Sequence, residues 1–115
     1  MYEMTLNESE SKIIISFNEP LTIQNILYVR EAILTSIAKV SNLVIEHGSI
    51  EDFDSSYLQV LIAASKSIEL SGKKMTIIGT KDDAFNKLLE ETGCFPIKKI
   101  IEEKKNNELG VQLNA

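Results

Sequence analysis

Two kinds of hydrophobic spacing alternate along this chain, and together they predict alternating strands and helices. Lys12-Ile13-Ile14-Ile15-Ser16-Phe17 is dense in β-branched residues and reads as a strand, and looser alternation from Tyr2 to Leu6 predicts another before it. The polar run Asn7-Glu8-Ser9-Glu10-Ser11 joins them as a hairpin at the amino-terminal edge of a sheet. Asn18-Glu19-Pro20 then breaks the pattern. Beyond it Ile23, Ile26, Leu27, Ile33, Leu34, Ile37 and Val40 fall near helical spacing, with Gln24, Arg30 and Glu31 off the stripe. This predicts an amphipathic helix from Ile23 to about Val40, with Thr22 as its N-cap and Leu21 and Ile26 as a hydrophobic staple.

Leu43-Val44-Ile45 is a short continuous apolar run, as in a central strand covered on at least one side. His47 to Asp52 reads as a connecting loop. A second helix is predicted from the turn Asp54-Ser55-Ser56 to Gly72. Asp54 is its N-cap, Phe53 and Leu58 its staple, and Leu58, Leu61, Ile62, Ser65 and Ile68 mark its successive turns. Gly72 is placed to end it in the left-handed conformation, and the small residues Ala63, Ala64 and Ser65 suit close packing on a sheet. Lys74 to Gly79 is another strand. Thr80-Lys81-Asp82-Asp83 has the spacing of a capping box, and Phe85, Leu88 and Leu89 form the apolar face of a third helix stopped by Gly93. Cys94-Phe95-Pro96 turns the chain toward a last edge strand over Ile97 to Ile101. Residues 102–115 are a polar tail or a short terminal helix. The expected fold class is α/β, a single domain with a mixed sheet of about four to five strands packed with about four helices.

Composition narrows the function more than it narrows the fold. The 115 residues suffice for one hydrophobic core, and a hydrophobic fraction of 43% with 25% charged is that of a globular domain. A formal net charge of −5 argues against holding a phosphate backbone, and nucleic acid is not an expected partner. The pairs Lys98-Lys99 and Lys104-Lys105 are interleaved with Glu102 and Glu103 and make no basic stripe. Cys94 is alone, so no internal disulfide is available, and Cys94 itself reads as a small buried hydrophobe. No apolar run approaches the ~18 residues that span a bilayer, and the first residues lack a signal-peptide pattern. A cytoplasmic setting without membrane insertion is expected.

The candidate chemistry gathers at Asp54-Ser55-Ser56, just beyond the carboxyl end of the Leu43–Ile45 strand, where open sheets of this class place working surfaces. A helix amino terminus offers unpaired N–H donors and partial positive charge, so a phosphoryl group on Ser55 would sit well there. The same group would meet like charge from Glu51, Asp52 and Asp54, an arrangement that reads out by repelling a partner. On residue types alone, Asp followed by two serines is also how ordinary helices begin, and a capped helix accounts for it equally. Catalysis is not predicted. Ser55 has no general base in any motif, His47 is the single histidine and reads as a loop residue, and no Gly-rich phosphate loop is present. The carboxylates Glu51, Asp52 and Asp54 are too few for a dedicated cation site, so neither metal nor cofactor is expected.

The order of elements, and above all the segment Ile50 to Gly79, "IEDFDSSYLQVLIAASKSIELSGKKMTIIG", resembles the STAS domain. That domain is found in anti-sigma factor antagonists and in sulfate-transporter tails. The resemblance covers roughly Met4 to Ile101. The family's pattern runs apolar residue, Asp, Ser, Ser or Thr, Gly, then Leu and an apolar helix closing on Gly-Lys. It implies that Ser55 is the residue phosphorylated by a partner, an anti-sigma factor serine kinase, with Ser56 as second candidate. Asp52, Asp54, Ser55, Ser56 and Tyr57 would make the partner-binding surface. The nucleotide belongs to the kinase, so this chain needs no cofactor. The alternative within the same fold is a non-switching scaffold subunit of a chemotaxis-type signalling, stress-sensing or lipid-transport complex. One position departs from the pattern. Tyr57 stands where the family has Gly, either as an aromatic contact for a different partner or as a partly exposed ring at the core edge.

Overall fold

A computed structural model gives the fold, and it describes residues 2–47, 50–78 and 83–92. The hairpin forms as the pattern predicts. Strand β1 (Tyr2–Asn7) runs antiparallel to β2 (Lys12–Phe17), in a register that sets Tyr2 opposite Phe17 and Asn7 opposite Lys12. Asn7 shapes the turn by accepting from the Ser9 hydroxyl at 2.8 Å and the Glu10 N–H at 3.3 Å. Ser11 ends the turn with φ +50°, a left-handed conformation that costs a serine about 1–2 kcal/mol. Its carbonyl is thereby aimed at the N–H groups of Ser41 and Asn42, 3.1 and 3.0 Å away, at the start of the next strand.

That strand, β3 (Asn42–Glu46), pairs parallel with β2, and β4 (Lys74–Ile78) pairs parallel with β3, giving the sheet order β1-β2-β3-β4. The register aligns Ile13, Leu43 and Met75 in one row and Ile15, Ile45 and Ile77 in the next, all buried. Helices α1 (Ile26–Lys39) and α2 (Ser55–Ser71) are the two crossovers, and α3 (Asp83–Thr92) follows β4. All three helices contribute to the same core as these rows, through Val29, Ala32, Ile33 and Ile37 from α1, Leu58, Leu61 and Ala64 from α2, and Phe85 and Leu89 from α3. On the opposite face Ile14, Thr76 and Ile78 are half-buried, and the Ser16 hydroxyl donates to Glu46 at 2.7 Å. The α/β class and the mixed four-stranded sheet match the expectation.

Helix α1 starts later than its periodicity implies. Residues 22–25 form a turn, Asn25 stands at the N-cap without a side-chain cap, and Thr22 is not the cap. The expected staple does not form either. Leu21 is instead drawn into a parallel bridge with Phe53 and fully buried there, while the Ile23 N–H is taken by the Asp54 carboxylate. Ile23 and Leu27, both on the predicted apolar stripe, are 67% and 81% exposed. The stripe is buried from Val29 onward and Ile26 packs against the core beside it, while Ile23 and Leu27 stay outside.

Helix α2 obeys its local signals. It closes on Gly72 at φ 70°, whose N–H reaches the Ile68 carbonyl. Of the small residues, Ala64 is buried and Ala63 faces solvent. Lys73, just beyond, donates from Nζ to the Ile37 carbonyl and so caps the last turn of α1. The Thr80–Asp82 part of the capping box, Gly93, Cys94, the Ile97–Ile101 strand and the 102–115 tail lie outside the described residues.

Candidate functional site

Asp54 makes the site. Its backbone is extended at φ −138°, and its Oδ1 accepts from the Ser56 N–H at 3.0 Å and from the Ser56 hydroxyl. This is the N-cap geometry that Asp adopts because its carboxylate reaches the unpaired donors of the first turn. Its other oxygen, Oδ2, accepts from the Ile23 N–H at 2.9 Å, 31 positions away in sequence. Burial is the largest single influence on this carboxyl and raises its pKa. Hydrogen bonds from the Ser56 side chain and from the backbones of Ile23, Ser56 and Tyr57 outweigh it, and the net shift is downward. The carboxylate is therefore charged at neutral pH.

The two serines are not equivalent. Ser55 is exposed, and its hydroxyl makes no hydrogen bond among the described residues. Ser56 is half-buried with its hydroxyl spent on Asp54. Asp52 and Glu51 are exposed beside the turn, and the Asp52 carbonyl accepts from the Leu21 N–H at 2.9 Å. Asp52, Asp54, Ser55 and Ser56 thus share one end of α2.

Tyr57 does not join that surface. Its side chain is fully buried, which corrects both the partner-contact and the core-edge expectations for it. The reason is helical geometry. Tyr57 stands on the same stripe as Leu61, Ala64 and Ile68, and that stripe faces the sheet. Its spacing from these residues is the sequence signal for a core position. A Gly here would leave the space of a whole phenol ring.

His47 is likewise no loop histidine. It is 1% exposed and lies among Phe53, Tyr57 and Phe85, with ring centroids 5.0, 5.4 and 4.6 Å away. Its Nε2 stands 2.6 Å from the Tyr57 hydroxyl. Burial lowers its pKa to about 3 and pushes that of the Tyr57 phenol well above its usual range, so both are neutral in the folded protein. Nδ1 is buried and has no hydrogen-bond partner among the described residues. If the phenol donates to Nε2, one N–H is left unpaired; the reverse assignment orphans both the phenol proton and a ring lone pair. The first arrangement is favoured. With its imidazole shut inside this cluster, His47 is in no position to act as a base for Ser55. Among the described residues no group of three or more His, Cys, Asp or Glu side chains is arranged to hold a metal ion.

The STAS domain family model matches residues 3–106. The chain belongs to the STAS family. No curated protein matches its sequence. Among solved structures, this STAS domain is similar to unphosphorylated SpoIIAA, an anti-sigma factor antagonist, at 14% identity and a TM-score of 0.70, covering 97% of this chain and 99% of that one. It is also similar to phosphorylated SpoIIAA, a Bacillus cell fate determinant, at 14% identity and a TM-score of 0.64, covering 84% and 86%. A third likeness is to the murine anion transporter Slc26a9 in its inward-facing state, at 14% identity and a TM-score of 0.59, covering 70% of this chain but 14% of the transporter. At such identities the likeness is one of fold. No helix among the described residues of this STAS domain is long and apolar enough to cross a membrane.

Proposed function

We propose that this STAS domain is a phosphorylation-switched protein-binding regulator of the anti-sigma factor antagonist kind. The observation that carries this reading is the inequality of the two serines. Ser55 offers an exposed hydroxyl with no hydrogen bond among the described residues at the first position of α2, whereas Ser56 is engaged by Asp54. In this reading the unphosphorylated surface around Asp52, Asp54, Ser55 and Ser56 binds an anti-sigma serine kinase, and phosphorylation of Ser55 releases it. Transfer forms the Ser55 Oγ–P bond and breaks the bond from the γ-phosphorus to the bridging oxygen of a nucleoside triphosphate held by the kinase. The diphosphate leaves, and the hydroxyl proton passes to a base on the kinase. The product places about −1.5 to −2 charges beside Asp52 and Asp54, enough to repel an interface that accepted the neutral hydroxyl. The chain acts here as the kinase's substrate and binding partner and catalyses nothing itself.

Intact-mass measurement on protein recovered from its own cells tests this, with wild type, Ser55→Ala and Ser56→Ala side by side. A species heavier by one phosphoryl group is expected in wild type and Ser56→Ala and absent from Ser55→Ala. Its absence from wild type across growth conditions would leave the constitutive scaffold reading in its place.

A further inference from the structure

We propose that the Asp54 carboxylate couples the start of α2 to the turn before α1, so that a phosphoryl group on Ser55 loosens residues 22–25 and the exposed Ile23 and Leu27. The inference rests on the reading of Ser55 as the modified residue and adds where the modification is felt.

The carboxylate is divided between two segments. Oδ1 serves the first turn of α2 through Ser56, and Oδ2 holds the Ile23 N–H at 2.9 Å. Behind it the two segments run alongside each other, with the Leu21 N–H donating to the Asp52 carbonyl at 2.9 Å and the Asp54 N–H to the Leu21 carbonyl at 3.3 Å. That short ladder ends at Leu21, and only a side chain carries the contact further. Within the turn, the Asn25 N–H donates to the Thr22 carbonyl at 2.9 Å and its side-chain amide to the Pro20 carbonyl at 2.8 Å, both local bonds. Among the described residues the bond from Ile23 to Asp54 is the one hydrogen bond tying 22–25 to a distant segment. Packing does not substitute for it, because Ile23 is 67% exposed and Leu27, one turn along, is 81% exposed.

A phosphoryl group on the adjacent residue attacks this tie in two ways. It competes for the same first-turn N–H donors that Asp54 now uses, and it repels the carboxylate at close range. Up to two added charges at roughly 5 Å in a solvent-like dielectric repel the carboxylate enough to weaken the bond to Ile23 by at most about 10-fold. The outcome is greater freedom of a turn that displays two large aliphatic side chains beside the modified residue. A change of one group at α2 is thereby read at α1 without movement of the sheet.

The test is amide hydrogen exchange by NMR on the full chain with phosphoserine installed at position 55 during synthesis, so no kinase is required. The Ile23 amide should exchange faster, by at most about 10-fold, in the phosphorylated chain, while the Ile45 amide in the centre of the sheet is unchanged. In Asp54→Asn, which keeps an N-cap acceptor but not the charge, the phosphoserine effect at Ile23 should largely disappear. Equal exchange at Ile23 with and without the phosphoryl group overturns the proposal. So does acceleration that includes Ile45, or an effect of the same size in Asp54→Asn. Failure of this test leaves phosphorylation in cells untouched, and failure to find phosphorylation in cells leaves the exchange result standing.

Discussion

Between neutral pH and about pH 5 acid should destabilise this domain mainly through one residue, and the size of the effect follows from where His47 sits. Its ordinary pKa of 6.5 falls to about 3 in the folded chain because the ring is buried among Phe53, Tyr57 and Phe85. Between those two values the unfolded chain binds a proton that the folded chain refuses. Folding stability is therefore complete above the unfolded pKa and declines as pH falls toward the folded one, by about 1.4 kcal/mol per pH unit. From about pH 7.5 to about pH 5 the loss is about 2 kcal/mol, a large part of the ~5–15 kcal/mol that holds a domain of this size together. The interval is clean, since the chain has no other histidine and ordinary carboxylates titrate mainly below it. Urea unfolding followed by far-ultraviolet circular dichroism at constant ionic strength reads the effect as a fall in the midpoint of about 1–2 M. The comparison is His47→Gln, which can still accept from the Tyr57 hydroxyl but does not titrate. Whatever the substitution costs at neutral pH, only the slope matters. Parallel loss of stability in wild type and His47→Gln over this interval would refute the reasoning.

Two further substitutions check the packing argument. Tyr57→Gly restores the residue typical of the family yet should cost at least about 4 kcal/mol, from an emptied ring-sized space and a glycine in a helix, read as a large drop in the urea midpoint. A cost below about 1 kcal/mol would mean that the phenol is not seated as described. Gly72→Ala should cost about 1 kcal/mol and no more, because an added Cβ meets nothing within 4 Å and only the left-handed backbone at φ 70° opposes it.

The features legible before folding are those whose causes are local. The hairpin follows from alternation on either side of a polar turn. The limits of α2 follow from Asp54 and Gly72, residues that cap a helix whatever surrounds it. The buried face of α3 follows from the spacing of Phe85 and Leu89. The places of Asp54, Ser55 and Ser56 at the start of α2 were legible for the same reason, since a cap and the hydroxyls after it are fixed by their positions on one helix turn.

Tertiary structure decided the rest, because burial depends on partners distant in the chain. Ile23 and Leu27 have the period of core residues, yet both stay exposed, and the Asp54 carboxylate takes the Ile23 N–H in the turn before α1. His47 follows a strand and reads as a loop until Phe53, Tyr57 and Phe85 arrive from three other places and close over it. Tyr57 reads as a partner contact or a partly exposed ring at the core edge, and its burial follows from the neighbours that α2 brings it against. Periodicity names the face of an element that prefers to be covered. Only the packed sheet and its neighbours determine how much of that face is covered, and by what.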